Sequence, residues 1–186
     1  MLSHIPNLVY LAPTNYEEMI AMERWAIYQN QYSVAIRVPE YGAYHATEPV
    51  ETDYSELNKY KVMHQGNTVA IIAAGDFYAK GENVAKALRA DGIDATLINP
   101  RYLSGIDEPL LHSLKANHQL VATIEDGSLD GGFGERIARY YGPSTIRTLC
   151  FGVKKQLYDR YDVKELLIEN HLTDEQIVAD IKEHII

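Results

Sequence analysis

The chain has 186 residues, 46% hydrophobic and 23% charged, with a formal net charge of −9. That length supports one good core, or one domain with part of another, and the acidic balance argues against nucleic acid, whose phosphates need a basic face. A lone cysteine, Cys150, rules out an internal disulfide, and the absence of any long apolar window or leader-like start makes a cytoplasmic protein with no membrane span the expectation.

Leu8–Leu11 reads as a short strand. Thr14 is the expected N-cap of a helix over 15–29, with Glu17 three residues on as the partner of a capping box. Tyr32–Val38 reads as a second strand, stopped by Pro39. Two strands and one helix leave apolar surface to be covered by the rest of the chain or by another chain. Residues 39–58 are rich in prolines and acids, lack an apolar period, and read as a linker.

From there the pattern alternates. Lys59–His64 suggests an edge strand and Thr68–Ala74 a central one. Gly75-Asp76 ends that strand, with Asp76 as cap of a helix over 77–90. Gly81 in that helix costs about 1 kcal/mol relative to alanine, which implies close packing there. Ala95–Ile98, a helix over 106–115, Gln119–Glu125, a glycine-rich turn, a helix over 131–141 and Ile146–Cys150 follow. Helices Val163–Glu169 and Thr173–Ile186 close the chain, the second with a Thr173/Gln176 capping box and Leu172 as its staple. The fold class is α/β: a mostly parallel sheet flanked by helices, preceded by a fragment of a second α/β domain.

In such sheets, ligands gather outside the carboxyl ends of the strands. Arg37 and Arg101 both lie near strand ends, where a guanidinium fork can bind phosphate; a surface or salt-bridged role is the plainer reading of each. Residues 125–134, EDGSLDGGFG, follow a strand and open a helix. They lack the GxGxxG order and a P-loop lysine, and Glu125, Asp126 and Asp130 would repel a pyrophosphate. Close approach of helix to sheet, or to a neighbouring subunit, is the favoured reading. The histidines form no HExxH, and Ser128 has no identifiable base. The 14 tyrosines against 3 phenylalanines are expected to be packing residues with wet hydroxyls, or a partner surface.

Several segments in fixed order resemble the 1-deoxy-D-xylulose-5-phosphate synthase branch of the transketolase family. They are Ile5–Val9 with Ala12-Pro13, Ala35-Ile36-Arg37-Val38-Pro39, and Asn99-Pro100-Arg101-Tyr102 with Ile106-Asp107. Glu125-Asp126-Gly127 with Gly131–Gly134, Phe151-Gly152-Val153 and the Leu166…Leu172-Thr173…Ile177 tail complete the set. The resemblance implies that residues 1–45 end a pyrimidine-binding domain, that 46–58 are a linker, and that 59–186 form a transketolase C-terminal-like domain. It further implies that Arg37 and Arg101 hold the phosphate of a sugar-phosphate substrate.

Three departures stand out: Glu40 where a second basic residue is usual, Ser104-Gly105 in place of Lys-Pro, and Tyr158-Asp159-Arg160-Tyr161 near a usual His-Gly. The family's GDG…N metal motif and its activating glutamate are not found in this sequence, so no catalytic, cofactor or metal residue is assigned. Thiamine diphosphate and Mg2+ are implied only for an assembled or full-length enzyme. The expected partners are a separately encoded thiamine-binding subunit or further copies of the chain. A non-catalytic binding module derived from the family, or a piece of a longer enzyme, stay open as alternatives.

Overall fold

Each apolar stretch builds its element by burying one face against the next. The computed structural model describes residues 2–39, 42 and 44–185. The opening unit is strand β1 (Leu8–Leu11), helix α1 (Tyr16–Tyr28) and strand β2 (Ser33–Ile36), with β1 and β2 parallel. The main sheet follows: β3 (Lys61–His64), β4 (Thr68–Ala73), β5 (Thr96–Asn99), β6 (His118–Ser128) and β7 (Arg147–Val153), in the order β3-β5-β4-β6-β7. Only β3 is antiparallel to its neighbour, and it lies at the edge.

Helices cover both faces. On one, α2 (Tyr78–Ala90) and α6 (Asp174–His184) bury Val84, Leu88, Ile177 and Ile181 against β4, β5 and β6. On the other, α3 (Glu108–Leu114) and α4 (Phe133–Tyr141) bury Leu111, Leu114, Ile137 and Tyr141. Helix α5 (Val163–Glu169) precedes α6, whose Thr173/Gln176 capping box is present as expected. Gly81 has its reason in the sheet: a Cβ there would lie 2.4 Å from the Ala73 Cβ.

The opening unit is covered from within the chain. Val9, Leu11, Ala21 and Met22 form a cluster with Tyr54 and Tyr102, and Val50 and Leu57 pack on it. Residues 50, 54 and 57 belong to the linker, so this segment is a packed strap. Backbone bonds join the two parts. The Ala12 N–H donates to Arg101 O (2.8 Å) and the Leu103 N–H to Tyr10 O (2.7 Å), while within the opening unit the Arg37 N–H donates to Leu11 O (2.9 Å). Strand β1 is thereby sandwiched between β2 and the Arg101–Leu103 segment. Among the described residues, no strand pairs with the outer edge of β2.

Three local expectations are corrected. Helix α1 is capped by Asn15, whose Oδ1 accepts from the Glu18 N–H (2.8 Å), and not by Thr14. Glu18, rather than Glu17, turns back to accept from the Thr14 N–H (2.8 Å) and hydroxyl (2.9 Å), because Asn99 Nδ2 (3.1 Å) also holds it in the interior. Asp76 does not cap α2. Gly75, at φ +56°, turns the chain into a 3-10 turn first, and Phe77 takes the N-cap position. Strand β6 continues through Glu125–Ser128, because β7 runs alongside as far as Ser128↔Val153.

The tyrosine hydroxyls depart from expectation as well. Tyr54, Tyr102 and Tyr141 are fully buried and donate to the carbonyls of Glu51 (3.0 Å), Tyr54 (2.8 Å) and Leu111 (2.7 Å). A buried hydroxyl is costly unless bonded, and these tie loops to the core.

Candidate functional site

The carboxyl ends of four strands meet at one cleft of about 540 Å³. Arg37 arrives just after β2, Asp76 after β4, and Asp126 and Val153 from the ends of β6 and β7. Phe77, Tyr161, Val163, Leu166 and Leu167 form an apolar wall, and Thr14 and Asn15 a polar one. Among the described residues, the cleft thus offers the Arg37 cation, hydrogen-bonding groups and an apolar side.

The cation is already paired, Arg37 Nη2 lying 2.7 Å from Asp126 Oδ2. Burial, the largest single influence, pushes the guanidinium down, but the charge and hydrogen bond of Asp126 together with those of Tyr10 outweigh it and hold Arg37 above its usual value. An anion entering here must displace Asp126 or share Arg37 with it.

Arg101 lies in an adjoining cleft of about 710 Å³; Thr14, Asn15 and Tyr44 line both clefts. Its backbone takes φ +58°, a left-handed conformation uncommon without glycine, and Asn99 Oδ1 accepts its N–H at 3.0 Å. The side chain is only 5% exposed. Nε and Nη2 both donate to Lys59 O (3.1 and 2.6 Å), and Nη1 donates to the Glu51 carboxylate. The rings of Tyr54 and Tyr102 flank the guanidinium at 5.9 Å each. The structure therefore brings the two arginines to neighbouring clefts, each fork engaged with a carboxylate of this chain.

The glycine-rich stretch is occupied in the same way. Glu125 accepts from the Phe133 (3.0 Å) and Gly134 (2.8 Å) amides that open α4. Burial pushes its carboxyl above the usual range, and the two amides offset part of that. A Cβ at Gly134 would lie 2.5 Å from Thr123 Oγ1 and 3.0 Å from Cys150, so the expected close helix-to-sheet approach is found. Burial also raises the Cys150 thiol, which makes it a poor nucleophile.

Two of the sequence departures have packing reasons. Gly105 admits Asn58, which a Cβ would meet at 2.4 Å, and Ser104 donates to Asn58 Oδ1 (3.3 Å). Tyr158 stacks edge-on against Tyr161 at 5.8 Å, and Tyr161 joins the apolar wall of the first cleft. Glu40 lies outside the described residues.

The sequence singles out neither Glu18 nor Glu51, and Asn99 only as part of the Asn99–Tyr102 segment. Glu18 is legible only once Asn15 is taken as the cap, because Asn-x-x-Glu then marks it as the residue that turns back. Glu51 gives no local signal, since its partner is 50 residues away.

Among the described residues no three His, Cys, Asp or Glu side chains are grouped to hold a metal ion, and no helix is long and apolar enough to cross a membrane. The amides that open α4 are filled by Glu125. The described residues do not fit a thiamine diphosphate–metal site.

Residues 58–177 match the model of the transketolase C-terminal domain. The chain is 34% identical over 187 residues to the 1-deoxy-D-xylulose-5-phosphate synthase of Alkaliphilus oremlandii, and 29% identical over 182 residues to that of Clostridium tetani. Each alignment takes in 97% of this chain and 29% of the relative, so the chain spans under a third of their length. Its fold is similar to a solved structure described as a split gene transketolase, inactive beta4 tetramer. The TM-score is 0.81 at 26% identity, over 99% of this chain and 59% of that one. A transketolase of Pichia stipitis shares the fold, with a TM-score of 0.70 at 13% identity over 98% of this chain and 26% of that one. The family model covers well over half of the chain and the fold is shared: the chain belongs to the transketolase C-terminal domain family.

Proposed function

We propose that the chain is the carboxy-terminal component of a thiamine-diphosphate-dependent enzyme of the transketolase type, most like 1-deoxy-D-xylulose-5-phosphate synthase. In this reading it contributes sugar-phosphate binding and subunit association, and the catalytic residues come from elsewhere. The observation that carries it is the convergence of four strand ends on the cleft that holds Arg37. Bound thiamine diphosphate with Mg2+, held by another polypeptide or segment, supplies the carbanion chemistry.

This chain's part is to position the acceptor. Arg37 draws the distal phosphate, Asp126 yields or shares the guanidinium, and the apolar wall excludes water from the reacting end. Arg101 is the second phosphate contact in this reading, provided Glu51 releases it. The outer edge of β2, unpaired among the described residues, supports a partner, either further copies of this chain or a thiamine-binding subunit. The setting proposed is the cytoplasm.

The test is reconstitution. The chain is used as bait in native lysate, and the recovered complex is assayed with thiamine diphosphate, Mg2+, pyruvate and glyceraldehyde 3-phosphate. Turnover that requires this chain supports the reading, and a captured partner with no thiamine-dependent activity overturns it. A non-catalytic module is the second reading. It is favoured by one observation, that both guanidinium groups are already matched by internal carboxylates.

A further inference from the structure

The carboxylate of Glu51 stands between two cations. Oε2 accepts from Arg101 Nη1, and Oε1 lies 4.0 Å from Lys61 Nζ. The three side chains line one cleft. Arg101 is held rigidly for this role. Lys59 O takes Nε and Nη2, two tyrosine rings flank the plane, and only Nη1 remains to face the carboxylate. Lys61 enters from β3.

Glu51 itself sits on the strap, with about half of its side chain exposed, and Tyr54 anchors the strap three residues on. The carboxylate can therefore swing out without unpacking the core. We propose that Arg101 and Lys61 form a small-oxyanion site, for a phosphate monoester or inorganic phosphate, and that Glu51 is its tethered competing anion.

A guanidinium Nη1 fixed in place and an ammonium 4.0 Å from the same carboxylate suit a small oxyanion. A tethered carboxylate competes at high effective concentration, so the free ligand must outbid a contact that costs no translational entropy. Glu51 thereby sets an affinity threshold on the site. The proposal rests on the Arg101 part of the preceding reading and is independent of Arg37.

Inorganic phosphate is titrated into the 15N-labelled full chain at constant ionic strength, and the backbone amides are followed by NMR. The wild type is expected to shift weakly at Lys61 and Arg101. Glu51→Gln removes one charge-assisted contact, so it is expected to bind phosphate about tenfold more tightly at those amides. Glu51→Ala serves as a second variant, because it cannot fold back onto Nη1. Adding Lys61→Met to either should cancel the gain.

A gain that survives Lys61→Met, or no gain in either Glu51 variant, overturns the proposal. Lys61→Met in the wild-type background, expected to abolish the weak shift, tests it without altering the strap. Shifts confined to Val38 and Gly127 report the Arg37 cleft instead, so failure there and failure here are read separately.

Discussion

The Glu125 carboxylate accepts the backbone N–H of Gly134 at 2.8 Å, and with it that of Phe133 at 3.0 Å. The first turn of α4 is a place where an external anion is often bound, and here strand β6 supplies the anion from its own carboxyl end. The same logic recurs twice nearby, with Asp126 on Arg37 and Glu51 on Arg101. The group that an anionic ligand would seek meets an internal carboxylate in each case.

Glu125 gives a stability prediction with a sign. Its folded-state pKa is raised, by burial first, above the ordinary 4.5. Its contribution to stability is therefore full below that value and is lost as the pH rises through the folded pKa. Glu125→Gln should remove this part of the pH dependence. Glu125→Ala leaves two amides without an acceptor and should cost about 2 kcal/mol in urea denaturation at pH 7.

Gly81→Ala sets helix propensity against packing. Alanine is favoured by about 1 kcal/mol in a helix interior, yet its Cβ would meet Ala73 at 2.4 Å. Overpacking costs about 1–3 kcal/mol and two packed backbones have little room to part, so a net loss of thermal stability is expected. A raised Tm would show that α2 can lift off the sheet.

His118 should make stability sensitive to mild acid. Its Nδ1 lies 3.0 Å from Leu114 O and its Nε2 2.8 Å from Thr96 Oγ1, which fits a neutral ring that donates to the carbonyl and accepts from the hydroxyl. Burial lowers its pKa below 6.5, with the Leu114 contact opposing. The neutral ring's contribution is thus full above about pH 6.5 and declines as the pH falls toward the folded value. Melting curves from pH 8 to 5 should show that decline, and His118→Gln should flatten it.

Glu17 acts in a lower window. Its pKa is lowered from 4.5 to about 2, chiefly by the Ala46 amide and then by His45. Its hold on the start of the strap is present above pH 4.5 and lost as the pH falls toward 2. Limited proteolysis at residues 44–50 should accelerate in Glu17→Gln at neutral pH, and the wild type should match it only in strong acid.

Arg37→Ala in an assembled enzyme should mainly raise KM for the phosphorylated acceptor, with kcat little changed, because phosphate contacts far from the reacting carbon act on binding. Asp126→Asn frees the guanidinium and should lower that KM. Kinetics unchanged in both variants would remove Arg37 from the site.

The strands and helices of the main sheet were legible because each is bounded by a turn residue and shows its own apolar period. Thr68–Ala74 and the Thr173/Gln176 box are plain examples. The Thr14 cap was misplaced because two candidate caps stand side by side, and only the distant Asn99 decides which glutamate turns inward. Arg37 and Arg101 were legible as strand-end arginines. Their carboxylate partners lie 89 and 50 residues away, beyond any local pattern, and so was the sharing of strand ends between two clefts.

Tyr54 is 1% exposed among side chains of the opening unit, although it belongs to the linker. A fragment trimmed to the matched span 58–177 would lose that ring and the carboxylate on Arg101. It would also lose the last turns of α6, where Ile181 is fully buried. Such a fragment should expose apolar surface at both ends and aggregate, even though it holds the whole span that the family model matches. The stretch that has to pack together is wider than the matched span.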